Sequence, residues 1–269
     1  MDFGLMFPDI RDKQETTLKQ CQAVMLRMFK IFDFLCKKYN IKYFLTGGSL
    51  IGAVRHQGFI PWDDDLDIGM TRAEFDKFLE LVVPELPNDI FFQSTDTDKY
   101  YPQLDFVDAR LRDKYSSYTK IGTPNNKCHE GLMLDIFIFD RAFLPSNFLI
   151  ITQNIVLKKI FGKKRASILK WLEKKFSWAF IYCSNYMQSY GFLKLGTYIR
   201  PDEFEELLRV KFEDSEALIP KGYDSYLKRQ YNDYMKLPPV EKRKSPHNVI
   251  PDPFKPCEHS EILFWNDRK

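Results

Sequence analysis

The amino-acid sequence predicts a mixed α/β (α+β) protein, with a mixed sheet at its core and helical additions around it. Within the first 140 residues, apolar residues repeat every three to four positions in some segments and every second position in others, and the two kinds of segment alternate. At 269 residues, the chain is long enough to bury a full core. With 44% hydrophobic and 29% charged residues, its composition is that of a folded globular protein.

The predicted elements follow from these two periodicities and from local start and stop signals. Apolar residues from Asp12 to Tyr39 recur at spacings of three and four and predict one long amphipathic helix. Thr71 and Glu74 form the capping box of a later helix that ends near Val83. The complete prediction for this region is helix 12–39, strand 41–45, helix 49–56, loop 57–64, strand 65–70, helix 71–83, and strands 90–93, 104–111 and 132–139.

The character of the sequence changes near residue 140, which predicts a boundary between residues 1–140 and residues 141–269. The second region is rich in basic and aromatic residues, and we expect it to be helical, with two or three helices in 141–191 and two more in 201–237. From Glu241 the tail is polar and contains four prolines, so we expect it to be extended or loop-like.

Acidic and aliphatic residues alternate over residues 65–68. On a strand, this alternation directs the carboxylates of Asp65 and Asp67 from one face and buries the aliphatic side chains. Two adjacent carboxylates repel each other unless a cation lies between them, and Mg²⁺ or Mn²⁺ suits an all-oxygen site. We therefore predict that Asp65 and Asp67 bind one of these metals and are catalytic. For Asp63 and Asp64 we favour a solvated loop.

Asp135 is the predicted third carboxylate of this site. It is a lone acid inside the apolar run 131–137, where an unpaired charge is costly, so a metal ion or a salt bridge must balance it. Asp105 and Asp140 are weaker candidates, because each lies at a strand end or in more polar surroundings.

A turn of small residues, Gly47, Gly48 and Ser49, precedes the second predicted helix. Two glycines let the backbone approach a ligand closely, and the N–H groups that open a helix bind anions, so we predict a phosphate site here. Arg55 and His56, at the end of the same helix, are further candidates for binding phosphate. The alternatives are a helix-dipole role for Arg55 and a structural hydrogen bond for His56. A glycine-serine turn, a helix and an acid-x-acid strand, in this order, are the layout of the polymerase-beta-type nucleotidyltransferase fold.

The longest specific motif covers residues 52–67 and reads GAVRHQGFIPWDDDLD. Together with Asp135 in its apolar strand and the segment YNDYMKLPP at 231–239, it closely resembles the LicD family, whose wider group includes fukutin and the fukutin-related protein. The resembling segments keep the family's order over residues 12–247, which is nearly the whole chain.

The resemblance implies a phosphotransferase built on a nucleotidyltransferase-like core. LicD-type proteins transfer phosphocholine from CDP-choline to sugars of teichoic acids or other surface glycans. By this resemblance, Asp65 and Asp67 hold Mg²⁺, and Gly48 and Ser49 bind the diphosphate. Asp135 completes the metal site or acts as the base, while an acceptor hydroxyl displaces CMP.

Several alternatives stay open at this point. One alternative is the transfer of ribitol, glycerol or ethanolamine phosphate from its CDP donor. Another is a true nucleotidyltransferase that releases pyrophosphate. A non-enzyme alternative is an inactive module that binds glycans or membranes. Choline would need an aromatic cage for its quaternary ammonium. The aromatic residues available for it are Trp62, Tyr100, Tyr101, Tyr115 and Tyr118.

The basic stretch 157–178 predicts contact with an anionic membrane surface, because eight Lys or Arg in 157–175 are interleaved with aromatic residues. A solvated helix face is the alternative. We expect a cytoplasmic enzyme, peripheral on the inner face of the plasma membrane, that acts on a lipid-linked glycan. The net charge of +3 does not favour nucleic acid as a partner. Five scattered cysteines without a Cys-x-x-Cys pair are typical of reduced thiols in the cytosol.

Overall fold

A computed structural model describes residues 2–101, 107–122, 127–143, 180–183, 198–245 and 247–258. The strands are β1 (Phe44–Leu45), β2 (Asp67–Thr71), β3 (Ile90–Gln93), β4 (Ala109–Asp113), β5 (Ser117–Lys120), β6 (Met133–Phe143), β7 (Phe180–Cys183), β8 (Leu207–Phe212), β9 (Ser215–Pro220) and β10 (Val249–Asp252). The α-helices are α1 (Phe3–Met6), α2 (Thr17–Lys38), α3 (Gly47–His56), α4 (Arg72–Leu81), α5 (Pro201–Phe204) and α6 (Tyr223–Tyr231).

One mixed sheet lies at the centre of the described residues. Its strands follow the order β1-β2-β6-β4-β3, and β7 pairs with the end of β6. β2 and β6 are parallel, whereas the other neighbouring pairs of this sheet are antiparallel. Since α3 joins β1 to β2 and α4 follows β2, the predicted mixed α/β class is confirmed.

The long predicted helix is confirmed as α2. It begins after Thr16, whose side chain accepts a hydrogen bond from the N–H of Lys19 at 3.3 Å. Phe29 and Phe32 are fully buried on its inner face, and both meet the ring of Tyr43 edge to face. α2 therefore packs on the segment that leads into β1 and then into the helix α3.

β2 begins at Asp67, two residues later than predicted, so Asp65 lies in the loop before the strand. The prediction that residues 65–68 alternate within one strand is therefore wrong for Asp65. β2 starts at Asp67 because its pairing with β6 begins at Asp67 and Asp135. On the other side of β2, only two residues of β1 pair with it.

Residues 207–220 form a β-hairpin where a helix was predicted. β8 and β9 pair from Leu207 and Pro220 to Phe212 and Ser215. Ala217 and Ile219 are buried two positions apart, which is the period of a strand with one face on the core. The first of the two helices predicted in 201–237 is therefore wrong, whereas the second is confirmed as α6.

Two further pairings were not predicted. β5 pairs antiparallel with β10, which lies in the tail that was predicted to be extended, and β7 pairs with β6. The basic stretch 157–178 and most of the helices predicted in 141–191 lie outside the described residues. No helix in the described part of the chain is long and apolar enough to cross a membrane.

A buried ion pair joins α5 to α6. Two N–H groups of Arg229 donate to the two carboxylate oxygens of Glu203 at 2.6 and 2.8 Å. Burial raises the pKa of Glu203, but these hydrogen bonds outweigh it and hold the pKa below its usual value. α6 carries Tyr226, whose hydroxyl lies 3.0 Å from the Thr46 hydroxyl at the start of α3. The ion pair therefore supports a helix that contacts the N-terminal end of α3.

Glu203→Gln is expected to lower the free energy of unfolding by about 3 kcal/mol, because Arg229 would keep its charge in a buried position without a carboxylate. Urea denaturation measures this loss. Glu206→Gln is the matched control, since Glu206 pairs with Lys221 at 2.6 Å on the surface, where such a pair contributes at most about 1 kcal/mol. If the two variants lost equal amounts of unfolding free energy, a structural role for the buried pair would be contradicted.

Candidate active site

Asp67 and Asp135 lie side by side on the two parallel strands β2 and β6. They are register partners, and neighbouring strands are about 4.8 Å apart, so their side chains leave the same face of the sheet. The N–H of Asp135 donates to the carbonyl of Leu66 at 2.8 Å, which fixes this register. The strand pairing thus brings together two of the three predicted carboxylates, Asp67 from the acid-x-acid motif and Asp135 from the apolar run.

The N-terminus of α3 is attached to Asp67 through both backbone groups of that residue. The N–H of Thr46 donates to the Asp67 carbonyl at 3.1 Å, and the N–H of Asp67 donates to the Ser49 hydroxyl at 2.8 Å. Ser49 is buried, so its hydroxyl positions Asp67. A role for Ser49 in binding phosphate stays a prediction.

The two glycines that open α3 face carboxylates. Gly47 has a positive φ of 56°, and a Cβ added to it would lie 2.6 Å from Asp67 Oδ2. A Cβ added to Gly48 would lie 2.8 Å from Asp63 Oδ2. The carboxylates of Asp63 and Asp67 therefore lie against the start of α3, where N–H groups and the helix dipole favour negative charge.

Asp63, Asp65, Asp67 and Asp135 are here called the acid cluster, and its carboxylates hinder the ionisation of Asp65 and Asp67. Burial raises the pKa of Asp65 and of Asp67 well above the usual range, and neighbouring carboxylates raise both further. Burial also raises the pKa of Asp63, to about 6. Arg110 is one positive group at the cluster, and its Nε donates to Asp135 Oδ1 at 2.9 Å.

The acid cluster fits a divalent metal ion by the chemistry of its donors. They are all carboxylate oxygens, which Mg²⁺ and Mn²⁺ prefer, and a cation among them would relieve the repulsion between Asp65 and Asp67. Among the described residues, no three His, Cys, Asp or Glu side chains are already grouped as a metal ion requires, and Arg110 occupies one oxygen of Asp135. A metal ion bound by three of these carboxylates would therefore require rotation of their side chains.

Asp64 has a different role from the acid cluster. It is 3% exposed and accepts hydrogen bonds from the Tyr118 hydroxyl at 3.0 Å and from His247 Nδ1 at 2.9 Å. Burial raises the pKa of Asp64, but these hydrogen bonds outweigh it and lower the pKa. Asp63 is also buried, so the predicted solvated loop is wrong for both residues. Asp64 instead anchors the loop between α3 and β2 to β5 and to the C-terminal segment.

Sequence reasoning missed His247 and Arg110. His247 Nε2 lies 3.6 Å from Asp65 Oδ2, while its Nδ1 bonds to Asp64. The hydrogen bond with Asp64 and the nearby carboxylates raise the pKa of His247 to about 9. The pairing of β5 with β10 brings this residue to the cluster, and a single histidine in a polar tail carries no pattern that predicts it. Arg110 is the register partner of Asp135, so only the strand pairing could have identified it.

His247→Ala is expected to lower turnover by about 10-fold to 100-fold, because Asp64 and Asp65 would lose the imidazole that orients them. His247→Asn should recover part of the loss, since its amide can still donate to Asp64. Turnover at saturating substrate measures both effects. Asn248→Ala, at an exposed neighbouring side chain, is the control. Full activity in His247→Ala would show that Asp64 and Asp65 need no orientation from this ring.

Arg55 and His56 lie at the opposite end of α3 from the glycines, because the helix rises about 10 Å between Gly48 and Arg55. Arg55 donates to the Tyr234 carbonyl at 2.6 Å through its guanidinium and to His56 Nε2 at 2.9 Å through Nε. In the described part of the chain, no hydrogen bond or ion pair joins either residue to the acid cluster. Their predicted role in binding phosphate stays a prediction.

The aromatic residues predicted to form a cage for the choline ammonium group differ in their burial and in their contacts. Arg110 donates to the Tyr101 hydroxyl at 2.7 Å, which places Tyr101 beside the acid cluster, and Tyr118 lies there through its bond to Asp64. Tyr100 and Tyr115 are exposed. Their role as a cage stays a prediction.

Comparison with known proteins shows similarity along most of the chain. Residues 40–142 match the family model described as the LicD/FKTN/FKRP nucleotidyltransferase domain. The chain is 30% identical over 265 residues to the lipopolysaccharide cholinephosphotransferase LicD of Haemophilus influenzae, an alignment that covers 88% of this chain and 97% of that protein. It is 35% identical over 113 residues to an uncharacterised protein of Rickettsia prowazekii, covering 35% of this chain and 41% of that protein. It is also 57% identical over 31 residues to the ribitol 5-phosphate transferase FKRP of Homo sapiens, covering 12% of this chain and 6% of that protein.

Proposed function

Since this chain belongs to the LicD family, we propose that it transfers phosphocholine from CDP-choline to a sugar hydroxyl of a cell-surface glycan precursor and releases CMP. The observation that carries the proposal is the pair Asp67 and Asp135 on neighbouring strands, beside the glycine-opened start of α3. The name of the Haemophilus influenzae relative supports both the choice of phosphocholine and an acceptor of the lipopolysaccharide kind. A teichoic acid precursor would accept phosphocholine in the same way, through a sugar hydroxyl.

In this reaction, the start of α3 binds the diphosphate of the donor through the N–H groups of Gly48 and Ser49. The acceptor hydroxyl attacks the phosphorus that carries choline, and the new O–P bond forms as the bond to the bridging oxygen of CMP breaks. Asp135 completes the metal site or takes the proton of the hydroxyl. Mg²⁺ or Mn²⁺, when held by Asp65 and Asp67, supplies the positive charge that neutralises the phosphate oxygens.

We assign the mixed sheet to the nucleotidyltransferase type, with residues 1–140 as the catalytic core and residues 141–269 completing the site. Two contacts from the second region support its part in the site. His247 bonds to Asp64, and Arg243 lies 5.8 Å from the ring of Trp62, so both reach the loop before β2. The acceptor is a lipid-linked glycan at the inner face of the plasma membrane. Contact with that membrane through residues 157–178 stays a prediction.

A second candidate is the transfer of ribitol phosphate from CDP-ribitol. The match to a ribitol 5-phosphate transferase, 57% identical over 31 residues, favours it. The carboxylates and the start of α3 would serve both donors, because both carry the same diphosphate and cytidine. The two candidates differ only in the alcohol that the protein accepts.

The proposal is tested by incubating the purified protein with Mg²⁺, a lipid-linked glycan extract, and CDP-choline, CDP-ribitol or CDP-glycerol in parallel. We expect CMP from CDP-choline and phosphocholine on the glycan. CMP from CDP-ribitol alone would identify the second candidate. Release of pyrophosphate from a nucleoside triphosphate, with nucleotide left on the acceptor, would instead show a nucleotidyltransferase. No turnover with any donor would favour an inactive module that binds glycans or membranes.

A further inference from the structure

Two arginines from distant parts of the chain are held by the segment 234–239. Arg55, in the last turn of α3, donates to the carbonyl of Tyr234 at 2.6 Å. Arg243, which follows the 3-10 turn Val240–Lys242, donates through Nε to the carbonyl of Pro238 at 2.9 Å. Backbone carbonyls therefore fix both guanidinium groups, and each group keeps further N–H donors for another partner.

Arg243 and His56, the partner of Arg55, lie beside the indole ring of Trp62. The guanidinium carbon of Arg243 is 5.8 Å from the centre of the ring. His56, which accepts the hydrogen bond from Arg55 Nε at 2.9 Å, meets the same ring edge to face with 6.3 Å between ring centres. Trp62 directly precedes Asp63 of the acid cluster, so this group of residues borders the candidate active site.

The charges in this group are not balanced by acids. In the part of the chain that the structure describes, neither Arg55 nor Arg243 forms an ion pair, whereas Arg11, Arg27 and Arg229 each pair with a carboxylate. Burial lowers the pKa of Arg55, and the positive charge of Arg243 lowers it further. The two guanidinium charges act on each other, and neither has a carboxylate partner among the described residues, so they leave a positive site that an anion would stabilise.

We propose that Arg55 and Arg243 bind a phosphate group beside Trp62, at the end of α3 opposite Gly47 and Gly48. Both side chains are only partly buried, so a ligand can reach them. Guanidinium groups bind phosphate oxygens in pairs of parallel hydrogen bonds, and two of them can hold one phosphate from two sides. The inference rests on the proposed function, in which the start of α3 holds the diphosphate of the donor, and it adds a phosphate group on the acceptor. It adds Arg243 to the residues that bind phosphate.

Calorimetric titration of the full-length protein in EDTA tests this site, because EDTA removes any metal from the acid cluster. The probes are CMP for the donor, glucose 6-phosphate for a phosphorylated sugar acceptor, and inorganic phosphate. We expect Arg243→Gln to weaken binding of the sugar phosphate by at least about 10-fold. Weaker binding of CMP and not of the sugar phosphate would overturn the assignment to the acceptor. Lys244→Gln removes a neighbouring exposed charge and should change the Kd by less than about twofold.

Arg55→Gln is a second test of the same site. Arg55→Lys and Arg243→Lys keep the positive charge but lose the paired N–H donors. If Arg55→Gln does not fold without its bond to Tyr234, Arg243→Gln still decides the question. Unchanged affinity for all three probes in Arg243→Gln, or no binding by the unmodified protein, would overturn the inference and leave Arg243 as a packing partner of Trp62. CMP release in the transferase assay is scored separately. Turnover with unchanged KM in Arg243→Gln would reject only this site, whereas phosphate binding without turnover would reject only the proposed reaction.

Discussion

Asp67→Asn is expected to lower the rate of CMP release by at least about 1000-fold, which corresponds to about 4 kcal/mol of lost transition-state stabilisation. Asp67 is the carboxylate that joins the acid cluster to the start of α3, where its Oδ2 lies against Gly47. The amide keeps nearly the same size but cannot contribute a negative charge to a metal site. The initial rate with CDP-choline, Mg²⁺ and a glycan extract measures the change.

The same variant should unfold at the same urea concentration as the unmodified protein or at a higher one when metal is absent. The pKa of Asp67 is raised in the folded state, so ionising this carboxyl at neutral pH costs folding free energy that the amide avoids. Asp76→Asn, at an exposed acid of α4, should leave both activity and stability near their original values. Substantial activity in Asp67→Asn would refute the metal assignment, and a large loss of stability would mean that the activity loss reflects misfolding.

Gly47→Ala is expected to lower turnover by about 100-fold, since a misplacement of about 1 Å in reacting groups has an effect of this size. The new Cβ would lie 2.6 Å from Asp67 Oδ2, so the carboxylate must move. The residue also has a φ of 56°, a left-handed conformation that costs a non-glycine residue about 1–2 kcal/mol. Initial rates and urea denaturation measure the two effects separately.

Gly122→Ala is the matched control for this substitution. Gly122 also has a positive φ, 84°, but a Cβ there would meet no atom within 4 Å. Both variants should lose about 1–2 kcal/mol of stability from backbone strain, while only Gly47→Ala loses most of its activity. Equal activity in the two variants would show that close packing of Gly47 against Asp67 does not matter for the reaction.

The sequence predicted those parts of the fold that depend on short, regular patterns. α2 and β3 were predicted because their apolar residues repeat with the period of a helix or occupy a short apolar run. Asp135 was singled out because an acid is costly inside an apolar strand, and its position opposite Asp67 is consistent with that reasoning.

The parts that were missed depend on long-range pairing or on competing local signals. β8 and β9 contain apolar residues at both helical and strand spacings, and packing of Phe212 and Ile219 in the core selects the hairpin. β5 and β10 are separated by more than 100 residues, so no local pattern predicts that they meet. His247 reaches Asp64 through that pairing, and Arg110 faces Asp135 through the register of β4 and β6. These two residues could be assigned to the site only after the strands were paired.

Metal binding by the acid cluster can be measured by a Mn²⁺ titration followed by electron paramagnetic resonance. The signal of free Mn²⁺ is measured with the unmodified protein and with Asp67→Asn, each with and without CDP-choline. We expect saturable binding by the unmodified protein, tighter when CDP-choline is present, and its loss in Asp67→Asn. Equal binding by the two proteins, or turnover that persists when binding is absent, would contradict a metal site at the acid cluster.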